Sequence, residues 1–398
     1  MPITSVVGGE DERPRLLPPE LLPLFDDRFV ATSDLYEAYV FRLALGAARA
    51  SGLWDALDEP RGAAEACDRA GFPREVAPAV DWLLRELAAG GAADLVWTDG
   101  AARAARRATA PELDPSELVA AQQELDPSAL PSYRFAAAAA AIYPAVLRGE
   151  VKGDQALFAP EVVSLWGEYF DNANPLYAVN NRVAALAARA WLAGAAGPTL
   201  ELGGGLGSGA AALIDAFDEA GRAAELGPYR FTELAPFFLR RAQRRLAPLY
   251  GAKLPLAFAR FDLDAPFAPQ GVEDGSLGLV FAVNTMHVAR DLPAALAAVR
   301  RALRPGGWLV LGECLRPGPR VPVYSEFVFN LLEAFRAPGA AIGRPRAGGF
   351  LTAEEWEAAL AAAGFAETRL YPDVKAIRAA YPCFVVGAVG ARKTEEGR

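Results

Sequence analysis

The sequence predicts an α/β protein: a doubly wound, mostly parallel, seven-stranded sheet preceded by a mainly helical, winged-helix-like region. Three observations carry this prediction. From residue 198 short apolar strands alternate with helices, the pattern of a parallel sheet covered on both faces. The first strand, 199–202, carries an acidic residue, Glu201, one position before its end and enters a glycine-rich turn, Gly203-Gly204-Gly205-Leu206-Gly207-Ser208-Gly209, before an alanine-rich helix. Before residue 111 the order is helix, turn, helix and a short β wing at Leu95-Val96-Trp97, closed by the Asp99-Gly100 turn.

Taken in order, residues 1–27 are rich in Pro, Asp and Glu and read as a loose arm. Residues 29–50 form a helix with a stripe at Leu35, Tyr39, Leu43, Gly46 and Ala47, continued by 51–57 after a break. Two helices follow at 63–70 and 74–89, separated by Gly71-Phe72-Pro73. From 111 to 193 the chain is helical and irregular, with helix-favouring alanines at 136–141. Its aromatics, Phe158 and Trp166 to Phe170, serve either core packing or a pocket. Strands are expected at 199–202, 229–233, 256–261, 277–283, 308–312, 368–371 and 383–389, with helices to 217, at 236–246 and at 292–303. A helical insert spans 323–336, and Thr352-Ala353-Glu354-Glu355 is a capping box opening a helix to 363. The expected division is 1–110, 111–193 and 194–398.

The net charge is −9, which disfavours a nucleic-acid partner. Arg240-Arg241-Ala242-Gln243-Arg244-Arg245 is read as a solvated helix face rather than a basic patch. A DNA-reading winged helix is disfavoured, because 74–87 carries few positive charges. The single histidine, His287, excludes a zinc site built on several histidines, and no metal is expected. Cys67, Cys314 and Cys383 are far apart and show no pairing pattern, so a reducing cytoplasm is expected. Residues 1–9 show no signal peptide, and no run of about 18 apolar residues predicts a membrane span.

The glycine turn lets the backbone approach a ligand closely, and the following helix points unpaired N–H groups at it. Gly204 to Gly209 contains the letters of a dinucleotide fingerprint, and a purely structural turn is also open. With Glu201 two residues before Gly203, and Gly205 and Gly207 alternating after it, the stretch resembles the first motif of class I S-adenosyl-L-methionine-dependent methyltransferases. Other acids stand at successive strand ends, where such sheets bind ligands. Glu233 can accept from both ribose hydroxyls, with Leu234 packing on adenine. Asp262 can accept from the adenine amino group, with Leu263 covering the ring. Asn284, after the fourth strand, is placed with the same cofactor set. His287 follows three residues later and suits general-base work, and Glu313 ends the adjacent strand within reach of it.

Tyr229 to Phe238, Phe261 to Pro266, Asn284 to Leu292, Leu303 to Gly307, Leu331-Leu332-Glu333 and Gly349 to Trp356 resemble the methyltransferase domains of polyketide synthases. The resemblance implies a Rossmann-like fold, S-adenosyl-L-methionine as cofactor and S-adenosyl-L-homocysteine as product. It also implies a His287–Glu313 pair that deprotonates the acidic carbon of a β-ketoacyl thioester. Tyr169, Tyr324 and Phe327 are expected to cover the acceptor, either a free small molecule or a carrier-bound one. The N-terminal stretch is similar to the dimerisation domain of small-molecule O-methyltransferases, which implies a homodimer. The chain departs from the polyketide synthase pattern at Phe335-Arg336, where that family shows a tryptophan pair. It also lacks carrier and ketosynthase segments, so a free-standing protein is expected. Carbon methylation is favoured over oxygen methylation, and a non-catalytic cofactor-binding scaffold is a further alternative.

Overall fold

The computed structural model describes residues 11–109, 114–192, 194, 197–337, 349–382 and 384–394. Residues 1–10 of the predicted arm, the 110/111 boundary and Cys383 lie outside the described residues.

The described part of the arm is not loose. Helical turns at Arg13–Leu16 and Pro19–Leu24 bring Leu17, Leu21 and Phe25 into a core with Val385 and Val386. These apolar positions at four-residue spacing outweigh the polar composition around them. Helix Asp27–Ser51 follows, capped by Asp26, whose carboxylate accepts from the Phe29 amide at 2.8 Å, and ended by Gly52 at φ 92°. Strand β1 (Arg61–Gly62), helices Ala63–Ala70 and Ala77–Ala89, and strands β2 (Ala93–Thr98) and β3 (Ala101–Arg106) complete the winged arrangement, with antiparallel order β1-β3-β2.

Helices Ser116–Leu125, Leu130–Leu147, Gly153–Leu157 and Pro160–Tyr169 build an aromatic core with helix Asp27–Ser51 around Tyr36, Trp82, Tyr133, Tyr143 and Trp166. The insert residues Phe327, Val328 and Leu331 belong to that same core. Helix Pro175–Trp191 packs instead on the sheet. A Cβ on Gly312 would stand 2.7 Å from the Ala184 Cβ, so this glycine is what lets the helix settle on the strand.

The large sheet contains β4 (Thr199–Glu201), β5 (Tyr229–Glu233), β6 (Leu256–Arg260), β7 (Leu277–Val283), β8 (Leu303–Cys314), β9 (Glu367–Tyr371) and β10 (Val386–Arg392). Its order is β6-β5-β4-β7-β8-β10-β9, parallel from β6 through β8, with β10 antiparallel to both neighbours. Leu279 and Phe281 pack under helices Ser208–Asp218 and Pro236–Tyr250, while Val280 and Ala282 pack under Leu292–Ala302 and Ala353–Ala362. The predicted capping box forms: Thr352 Oγ accepts from the Glu355 amide at 3.1 Å, and the Glu355 carboxylate from the Thr352 amide at 2.8 Å. A helix not expected from the sequence, Val374–Ala380, joins β9 to β10 and is capped by Asp373. The chain reverses direction across the sheet between β4 and β7, so the C-terminal ends of these strands flank a natural ligand crevice.

Candidate active site

The alternation of glycines after β4 is realised as three left-handed residues, Gly203, Gly205 and Gly207, with φ of 59°, 57° and 85°. A Cβ on Gly203 would stand 2.4 Å from Thr285 Cγ2, and one on Gly204 2.3 Å from the Phe231 ring. The loop is thus wedged between the ends of β5 and β7. Gly205 differs: nothing lies within 4 Å of a Cβ there, and the residue lines an open cavity of about 250 Å³. Gly207 caps helix Ser208–Asp218 behind the cavity wall.

Beneath the loop Glu201 is 1% exposed and accepts from the Tyr229 hydroxyl at 2.9 Å. Burial pushes its carboxyl up to about 8. Glu233 is half-buried on the rim and its pKa is also raised by burial. One of its oxygens accepts from the Gly205 amide at 2.9 Å and the other from the Ala235 amide at 2.8 Å. These bonds fix the carboxylate while leaving each oxygen a further lone pair.

Glu201, Gly203, Gly205, Glu233, Asn284 and His287 all line one cavity. Leu234, Asp262 and Leu263 do not line it. Leu234 is 46% exposed; Asp262 accepts from the Asp264 amide at 3.0 Å; Leu263 packs against the core below β7. Asp262 follows β6, the edge strand, one strand further out than Glu233. Asn284 has φ 48°, and its side-chain oxygen accepts from the Cys314 amide at 3.0 Å. It therefore ties the end of β7 to that of β8.

His287 lies on a 3-10 turn, Met286–Val288, and is 5% exposed. Its Nδ1 is 2.8 Å from an oxygen of Glu313, which is fully buried. A carboxylate only accepts, so Nδ1 carries the hydrogen and Nε2 keeps its lone pair. The second Glu313 oxygen has no hydrogen-bond partner among the described residues, which leaves the imidazole as the carboxylate's sole counterpart. The ring is held by Phe350, with centroids 4.7 Å apart, and by Phe335 at 5.6 Å.

The aromatic wall differs from the expected one. Tyr169, Tyr324 and Phe327 do not line the cavity; Phe158, Trp166, Phe170, Tyr177, Phe329 and Phe335 do. Tyr169 packs on Phe135, Phe327 stacks on Tyr143 at 4.6 Å, and Tyr324 meets Tyr36 at 5.4 Å. The insert is two short helices, Glu326–Phe329 and Glu333–Arg336, and their phase turns Phe329 to the cavity and Phe327 to the core. Sequence reasoning also missed Asn181. It is 1% exposed, lines the cavity, donates to Asn172 at 2.8 Å, and its carbonyl oxygen has no partner among the described residues. The available signal was Tyr177 and Asn181, four residues apart and so on one face of a helix rich in alanine.

Among the described residues no cluster of His, Cys, Asp and Glu is gathered to hold a metal, and no helix is long and apolar enough to cross a membrane. Cys67 and Cys314 are buried free thiols, pushed by burial up to about 11 and about 12.

Residues 200–309 match the family model of a methyltransferase domain. The chain is 30% identical over 217 residues to highly reducing polyketide synthase 2 of Gibberella zeae, an alignment covering 54% of this chain and 8% of that protein. The chain thus spans under a tenth of the length of this relative. Among solved structures, the CurJ carbon methyltransferase superimposes with a TM-score of 0.73 at 22% identity, covering 96% of this chain and 97% of that one. The trans-methyltransferase CalH, in complex with S-adenosyl-L-homocysteine, gives a TM-score of 0.60 at 20% identity, covering 93% and 92%. The chain carries a methyltransferase domain, and its fold is that of the carbon methyltransferases.

Proposed function

We propose that this chain transfers a methyl group from S-adenosyl-L-methionine to the acidic carbon of a β-ketoacyl thioester or a related natural-product acceptor. The observation that carries the reading is the buried His287–Glu313 pair, whose imidazole lines the same cavity as the glycine loop. The residues fit the cofactor. Gly205 leaves open space, Glu233 offers free lone pairs to ribose hydroxyls, and Asn181 presents a buried, unpartnered acceptor suited to the methionyl ammonium. When bound, S-adenosyl-L-methionine supplies an electrophilic methyl on a sulfonium.

The protein's part is positioning and proton removal. Nε2 of His287 takes the proton from the carbon between two carbonyl groups, which leaves that carbon as the nucleophile. Glu313 holds the ring in the tautomer that frees Nε2 and stabilises the imidazolium that results. Phe329, Phe335 and Phe350 keep water from the carbanion. The acceptor is read as carrier-bound, in keeping with the polyketide synthase relatives. Mass spectrometry of the product formed from acetoacetyl-pantetheine and methyl-labelled cofactor tests this. The label is expected on the carbon between the carbonyls; a label on oxygen or nitrogen, or none, overturns it.

A further inference from the structure

One feature of the sequence stays outside the site above: the arginine run of helix Pro236–Tyr250. The structure gathers Arg241, Arg244 and Arg245 around a single hollow of about 390 Å³, with Gly167, Asp171 and Leu206 as its other walls. This hollow borders the active-site cavity. Leu206 lines both, Trp166 faces the active site while Gly167 faces the arginines, and Phe238 lies three residues before Arg241 on the same helix. At about 1.5 Å rise per residue, that is less than one turn.

The three guanidiniums are differently held. Arg245 is half-buried, paired with Asp171 at 3.2 Å and 3.4 Å from Ser208 Oγ. Arg241 lies over the Phe237 ring at 5.5 Å, and a Cβ on Gly167 would stand 3.4 Å from its guanidinium, so the glycine makes room for it. Arg244 is exposed and has no hydrogen-bond or ion-pair partner among the described residues. One carboxylate against three cations leaves local positive charge on a chain of net −9.

We infer that this hollow holds the phosphate of the phosphopantetheine arm from which the acceptor thioester hangs. The inference rests on the carrier-bound reading above. Guanidinium forks match phosphate oxygens in geometry and charge, and the arm's phosphate is its fixed anion. With that group at Arg241 and Arg244, the thioester end passes Leu206 and Phe238 toward His287.

The test uses the full chain with S-adenosyl-L-homocysteine present. Calorimetry compares 4′-phosphopantetheine with pantetheine on the wild type, on Arg244→Ala, and on the double variant Arg241→Ala/Arg244→Ala. The phosphorylated compound is expected to bind the wild type about tenfold more tightly, the worth of one good charge-assisted contact. That preference shrinks in Arg244→Ala and vanishes in the double variant, while S-adenosyl-L-homocysteine affinity stays the same. Equal binding of the two compounds to the wild type, or a preference that the double variant keeps, overturns the inference. Methylation of acetoacetyl-pantetheine, which lacks the phosphate, reports separately on the reaction. It is expected with unchanged KM and kcat in the arginine variants. Its absence from the wild type overturns the proposed reaction, and the calorimetry still decides the phosphate site.

Discussion

Nδ1 of His287 lies 2.8 Å from a carboxylate oxygen of Glu313, although 26 residues separate them. Parallel pairing of Val283 with Gly312 leaves Asn284 and Glu313 as the next residues along the two strands, and Asn284 clamps the ends together through the Cys314 amide. The 3-10 turn then returns the imidazole to the carboxylate.

If His287 is the base, His287→Ala lowers kcat by about 10²–10⁴ without changing the affinity for S-adenosyl-L-homocysteine. Glu313→Gln can still accept from Nδ1 but lacks the charge that stabilises imidazolium, so kcat falls less while product affinity holds. Steady-state kinetics beside calorimetry checks both. Loss of binding in step with turnover would show the pair to be only structural.

Adjacent glycines in the loop should fail differently. In Gly204→Ala the new Cβ meets the Phe231 ring at 2.3 Å, so the loop must shift; the melting temperature and cofactor affinity fall together. In Gly205→Ala the Cβ meets nothing, and the cost of φ 57° is about 1 kcal/mol. Its methyl points into ligand space, so affinity drops by more than the small change in melting temperature suggests. A Gly205→Ala protein that binds the cofactor normally removes this stretch from the ligand cradle.

Glu233 is expected to act twice, on the ligand and on the loop. Glu233→Ala deletes the proposed ribose acceptor and orphans the Gly205 and Ala235 amides. At about 1–3 kcal/mol for such a loss, S-adenosyl-L-homocysteine affinity falls roughly tenfold to a hundredfold. Asn181→Ala should weaken the same ligand while leaving KM for the acceptor near its wild-type value. Titration calorimetry measures both, and an unchanged affinity in Asn181→Ala refutes its role as the ammonium's acceptor.

Glu86 offers a pH test away from the site. It is 7% exposed on helix Ala77–Ala89, and burial, aided by the like charges of Glu37 and Glu326, raises its carboxyl from 4.5 to about 8. Between those values the folded chain keeps a proton that the unfolded chain has released, so stability falls as pH rises. Glu37, raised by burial to about 7, acts in the same direction. Glu86→Gln therefore raises the melting temperature at pH 8 and changes it little near pH 4.5, by differential scanning fluorimetry. An equal effect at both pH values excludes the protonation cause.

Local pattern placed the strands of the large sheet, the capping box at Thr352 and the glycine turn, and it singled out Glu201, Glu233, His287 and Glu313 as candidates at strand ends. Each of these is announced within a few residues, by strand alternation, by turn chemistry, or by an acid at a strand end. The tertiary structure decided what local pattern cannot. It set the helical phase that brings Phe329 rather than Phe327 to the cavity, and the docking of helix Pro175–Trp191 that buries Asn181 beside the glycine loop. It also separated Asp262 from the cavity lining and gathered three arginines at its rim. Contacts between elements distant in the chain depend on packing angle and register, and one residue's rotation of a helix exchanges the buried side chain for its neighbour.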